Sequence, residues 1–184
     1  MLKRPVKQDG VGLIEIMIGV AIVALMLSLA APSYSTFIQN SQIRNAAEAI
    51  QNGLQLARAE AVQRNTPIQF VLGTKSAWSV GCVTASADCP AVIQTRSEAE
   101  GSARGDVATS EVVASSGAVA GSPVFTTTLV FNGLGRERTL PAANNAVFDI
   151  TNPGGTCVTS GGKMRCLRVV VTAGGQIRMC DPAR

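Results

Sequence analysis

Glu15 stands inside an apolar run that begins at Val11 and continues as Ile16-Met17-Ile18-Gly19-Val20-Ala21-Ile22-Val23-Ala24-Leu25-Met26-Leu27-Ser28-Leu29-Ala30-Ala31, with no other charge in it. A carboxylate there costs about 2.5–3.5 kcal/mol on membrane-insertion scales, so it asks for a cationic partner. Its alternative is an ordinary helix-start acid reaching the interface. At the other end of the chain Lys163, Arg165, Arg168, Arg178 and Arg184 place five cations within 22 residues, offset only by Asp181. Such a group suits phosphate recognition by salt-dependent electrostatics, although a solvated strand face has the same composition. Five cysteines, at 82, 89, 157, 166 and 180, lack the paired spacing of a zinc site and suit disulfides in an exported domain.

Catalytic chemistry finds little footing. The chain has no histidine, no GxSxG elbow, no P-loop and no GxGxxG. Asp149 and Glu137 read as separated, solvated acids, and Arg136 and Arg138 as a surface turn. Neither enzyme activity, cofactor nor metal is expected.

Positioning these groups requires three parts. Residues 1–10 are short and basic, with Lys3, Arg4 and Lys7, and end at Gly10. From Val11 onward the apolar run is about as long as the ~20 residues that span hydrocarbon, and the basic flank marks a cytoplasmic N-terminus. Pro32 should bend or locally unwind the helix. Beyond it Ile43, Ala47, Ile50, Leu54, Ala57 and Ala61 recur at spacings of four and three, one buried face of a helix. Asn65-Thr66-Pro67 stops it. A helix over 11–66, membrane-spanning to about 32, is therefore expected.

Residues 67–184 read as an antiparallel β domain, with strands expected at 68–72, 78–82, 91–95, 111–114, 128–131, 146–151, 166–172 and 176–180. Residues 97–123 are rich in Ala, Ser and Gly and read as loop or weak strand. Cys82 and Cys89 bracket a short loop and form one staple. Folding about Ala173-Gly174-Gly175 sets Cys166 nearly opposite Cys180. Folding about Ser160-Gly161-Gly162 serves Cys157 and Cys166 equally well. The first pairing is preferred.

The order of basic leader, Gly10, Glu15 and apolar run resembles the class III signal of type IV pilins and type II secretion pseudopilins. The resemblance implies an α+β pilin-like fold, a long N-terminal helix packed on an antiparallel β-sheet domain. It also implies cleavage after Gly10 by a prepilin peptidase and methylation of Val11, where the family usually has Phe. Glu15 would pair with the free amine of a neighbouring subunit, rewarding axial register in a filament. Residues 55–67 resemble the helix end of the GspH/FimT branch of minor pilins and pseudopilins. The implied partners are other pilins or pseudopilins, the peptidase and the inner membrane, with the domain periplasmic. DNA is a further candidate partner. DNA-binding relatives in that branch carry Gly-Arg-x-Arg near the C-terminus, where this chain reads Gly175-Gln176-Ile177-Arg178. Pilus and pseudopilus share these features, so both a structural subunit and a DNA receptor stand open.

Overall fold

The computed structural model describes residues 12–117 and 127–183. The chain divides into two compact units, Met1–Phe37 and Ile38–Arg184. One helix, α1 (Leu13–Arg64), is continuous through both, and it is unbroken at position 32. It ends at Asn65, whose φ of 50° is the left-handed conformation that asparagine tolerates at a helix stop.

In the second unit α1 lies against two four-stranded antiparallel sheets. The strands are β1 (Ile68–Leu72), β2 (Trp78–Cys82), β3 (Gln94–Arg96), β4 (Asp106–Val113), β5 (Thr128–Phe131), β6 (Asn144–Thr151), β7 (Leu167–Thr172) and β8 (Ile177–Cys180). Their orders are β3-β2-β1-β5 and β4-β6-β7-β8. The α+β, pilin-like fold expected from the sequence is what forms.

All six residues of the expected helical stripe are fully buried. Ala46 and Ala49 are buried beside them. At Gly53 a Cβ would stand 2.8 Å from the rings of Phe70 and Trp78, so the helix meets the first sheet with backbone at that point. Alternation places Ile68, Phe70 and Leu72 of β1 inward, and Phe148 and Ile150 of β6 likewise. Phe70 meets Phe148 edge-on, ring centres 6.0 Å apart, which ties the two sheets together across one core.

Two strands depart from expectation. β3 begins at Gln94 rather than 91, because the chain around Pro90 and Ala91 crosses close over Gly81, where a Cβ would lie 1.8 Å from the Ala91 carbonyl oxygen. β4 occupies 106–113, well beyond the short strand expected at 111–114 and inside the segment read as loop or weak strand. It pairs along its whole length with β6.

Candidate functional site

Glu15 lies in the first turn of α1, the end of a helix where a carboxylate complements the dipole. Around it the first unit exposes Leu13, Ile14, Ile16, Met17 and Ile18, each more than half accessible, and the exposure continues through Val20, Val23, Leu25, Met26 and Leu27. Tyr34 and Phe37 are exposed as well. The second half of the same helix is opposite in kind, its apolar face sealed in the domain core. Gly10 and Val11 lie outside the described residues, as does Arg184. The side chains of 29–33, including Pro32, also lie outside them. Among the described residues no helix is long and apolar enough to cross a membrane.

The basic C-terminal residues are not gathered into one patch. Arg168 on β7 sits opposite Asp149 on β6, and its Nε donates to Asp149 Oδ1 at 2.7 Å. That hydrogen bond raises the guanidinium above its ordinary value, against a smaller opposing effect of burial. Both partners are therefore engaged, so Asp149 is not the unpaired solvated acid expected, and Arg168 follows the strand-face alternative rather than standing free for phosphate. Arg178 pairs in register with Val170 and shares the outer face with Arg168. It is exposed and has no ion-pair partner among the described residues. Arg165 precedes β7 altogether and lies beside α1, where its backbone N–H donates to Asn40 Oδ1 at 2.9 Å. Arg165, Arg44 and Asp181 border a cavity of about 220 Å³ there. Lys163 is exposed in the preceding turn.

Glu137 was expected in solvent and is buried instead. Its carboxylate accepts backbone N–H groups of Thr139 at 2.6 Å, Leu140 at 2.7 Å and Val130 at 3.4 Å. It closes the turn after β5, a structural task that spacing alone did not reveal. Among the described residues no cluster of cysteines and acids could hold a metal ion.

The staple Cys82–Cys89 forms as expected, with Cα atoms 5.9 Å apart. The second disulfide is Cys157–Cys166, Cα atoms 5.5 Å apart, and Cys180 is free and exposed. The preferred Cys166–Cys180 pairing is thus wrong. Val171 pairs with Ile177 and Arg168 with Cys180, so the β7–β8 hairpin is centred on Gly174. Centring it on Ala173 instead would bring Cys166 across from Cys180. One residue of turn position moves the cross-strand partner by two. Gly175 explains the choice of turn: its φ is +83°, and a Cβ there would lie 1.9 Å from the Gly135 carbonyl oxygen. The two turns pack backbone to backbone.

Comparison with known proteins follows the same lines. Residues 46–175 match the family model described as type II transport protein GspH. The chain belongs to the GspH family. That places it in the GspH/FimT-like branch of the type IV pilin-like and pseudopilin proteins. Its fold is similar to that of the type IV minor pilin FimU of Pseudomonas aeruginosa, with a TM-score of 0.51 and 21% identity over 77% of this chain and 90% of that one. It is equally similar to the minor pseudopilin EpsH of the Type 2 Secretion System of Vibrio cholerae, with a TM-score of 0.51 and 13% identity over 78% and 99% of the two chains. A comparison with curated proteins gives no match. The GspH-family match begins at Ala46, within the buried half of α1, and ends at Gly175, in the β7–β8 turn.

Proposed function

We propose that this GspH-family chain is a minor subunit of a type IV pilus or a type II secretion pseudopilus, with a priming or tip role. The observation that carries the reading is the two-natured helix. One face of its second half is buried in its own domain, while its first half exposes apolar side chains from Leu13 to Leu27, headed by Glu15. Exposed apolar surface of that extent calls for lipid before assembly and neighbouring helices after it. In this reading residues 11–32 anchor the chain in the inner membrane, with the β domain periplasmic. The prepilin peptidase cleaves after Gly10 and methylates Val11, and Glu15 pairs with the amine of a neighbour.

The test is intact mass of the chain from cells with and without the peptidase. A product starting at Val11 with one added methyl is expected, and a Met1 start in peptidase-positive cells refutes the reading. Glu15→Ala should leave cleavage intact and remove the chain from purified filaments. A dominant band of this chain in such filaments would refute a minor role.

A second reading, DNA capture, is favoured by Arg178, exposed on the outer face of β7–β8 without an ionic partner among the described residues. Its support is narrower than the sequence suggested, since Arg168 is engaged by Asp149 and Arg165 lies apart. Titration of the chain with double-stranded DNA at two salt concentrations decides it. Salt-sensitive binding weakened by Arg178→Gln supports capture, and absence of binding at low salt removes it.

A further inference from the structure

Between β6 and β7, residues 152–166 form a loop whose charge is all of one sign. From 150 to 180 the chain has no acid, and the loop itself holds Lys163 and Arg165. It is built stiff. Cys157–Cys166 closes it, and inside the ring the Val158 N–H donates to the Met164 carbonyl at 2.8 Å and the Met164 N–H to that of Thr156 at 3.1 Å. Gly162 lets the Thr156 backbone come close, since a Cβ there would stand 2.0 Å from its carbonyl oxygen. Met164 and Cys166 are buried, whereas Lys163 and Arg165 are exposed. Val158, in the same loop, is 45% exposed.

Three hydrogen bonds fix where the loop sits. Gln39 Nε2 donates to the Gly154 carbonyl at 2.9 Å, Asn152 Nδ2 to Gln42 Oε1 at 2.9 Å, and the Arg165 N–H to Asn40 Oδ1. Gln39, Asn40 and Gln42 are among the opening residues of the second unit, which begins at Ile38. They stand about two to three turns of α1 beyond residue 32, where the proposed anchor ends. In the membrane-resident chain of the proposed function, this is the end of the domain next to lipid. Two acids approach from other strands. Asp181 borders a cavity with Arg165 and accepts the Ala183 N–H, and Asp106 pairs in register with Thr151 just before the loop. Neither forms an ion pair with Lys163 or Arg165 among the described residues.

We infer that the stapled loop 152–166 rests on lipid headgroups beside the anchor, with Lys163 and Arg165 on lipid phosphates and Val158 among the headgroups. Cations next to a membrane gain from an anionic surface only within about a Debye length of it, so where the loop is pinned decides the matter. The long stems of lysine and arginine extend the reach of the two charges, and phosphate accepts charge-assisted hydrogen bonds from both. A loop already closed by a disulfide loses little freedom on contact. That a membrane lies there rests on the proposed function. The contact belongs to the membrane-resident subunit and is given up on entry into a filament.

The test places the full-length chain in nanodiscs of phosphatidylcholine, alone or mixed with phosphatidylglycerol. A photoreactive benzophenone side chain stands at position 159, exposed in the loop, at 22, exposed on the apolar half of α1, or at 134, exposed in the turn that packs on Asn65 at the far end of α1. Lipid adducts are read by mass spectrometry. Adducts are expected at 22 in both lipids and none at 134. At 159 they should increase with phosphatidylglycerol and fall about tenfold in the chain carrying Lys163→Gln and Arg165→Gln. Labelling at 22 without labelling at 159 overturns the inference and leaves the anchor standing. Absence of labelling at 22 refutes the anchor and the inference with it. Adducts at 159 that ignore phosphatidylglycerol, survive the double variant or appear equally at 134 also overturn it. So does their loss to inorganic phosphate at an ionic strength where chloride has no effect, which would assign the two cations to a free anion.

Discussion

Arg168 donates to Asp149 across the β6–β7 ladder, and Glu137 gathers three backbone N–H groups, so two charges that composition offers to a ligand serve the fold. Asp149→Asn should cost less than about 1 kcal/mol in urea denaturation, because both side chains are about a third exposed and solvent screens the pair. Arg168 works in a definite pH direction. A cation raised in the folded state stabilises below its unfolded value and loses that effect only as pH climbs through the folded one. Both lie far above the neutral range, so the stability difference between Arg168→Gln and the parent should stay flat from about pH 6 to 9. Thermal melts across that range check it, and a slope would show that another group titrates against Arg168. Cysteine was only half legible for a related reason. A nearby loop announces Cys82–Cys89, whereas the choice among Cys157, Cys166 and Cys180 depends on a turn position that contact with Gly135 selects. Cys166→Ser should cost about 2–5 kcal/mol and Cys180→Ser less than about 0.5 kcal/mol, measured by denaturation without reductant.

Elements with one buried face were the ones sequence could locate. The spacing of Ile43, Ala47, Ile50, Leu54, Ala57 and Ala61 marks the core side of α1, and β1, β2 and β5 fall at their expected bounds. Only the end of β4 was located, because it is an edge strand, mostly half-buried, whose Asp106-Val107-Ala108-Thr109-Ser110-Glu111 shows no clean alternation of apolar and polar residues. Its fully buried inward residue is Glu111, which accepts from the Asn144 amide, and a buried acid is invisible to a hydrophobic pattern. Gly53 was equally silent, since glycine in mid-helix signals only weakness. Gly53→Ala should therefore destabilise by about 1–3 kcal/mol despite alanine's better helix propensity, because its methyl strikes two aromatic rings. Near-ultraviolet dichroism of Trp78 together with urea denaturation would register both the loss and its location.

At the scale of the whole molecule, one helix runs through two units of opposite surface character, apolar and exposed in the first and packed into a core in the second. The domain from Ile38 onward closes its own core, and truncation before Ser35 should yield a soluble, cooperatively folding monomer. The full chain should need detergent. Sedimentation in both forms checks this, and aggregation of the truncated chain would show that its apolar surface is not confined to the first unit. The outline of this division was legible because it rests on hydrophobic composition. Its functional detail was less so: how each C-terminal cation is engaged depends on which strand partner the register supplies, and that is a tertiary fact.

Under the proposed function, with the domain periplasmic, the odd thiol has a biosynthetic consequence. A chain that crosses a membrane from N- to C-terminus delivers Cys157 and Cys166, nine residues apart, to an oxidising compartment before Cys180 arrives. Order of arrival and native pairing then agree, and the last cysteine meets a bond already made. Moving that thiol upstream of Cys157, rather than deleting it, is the change that would set a competing partner in the path of oxidative folding.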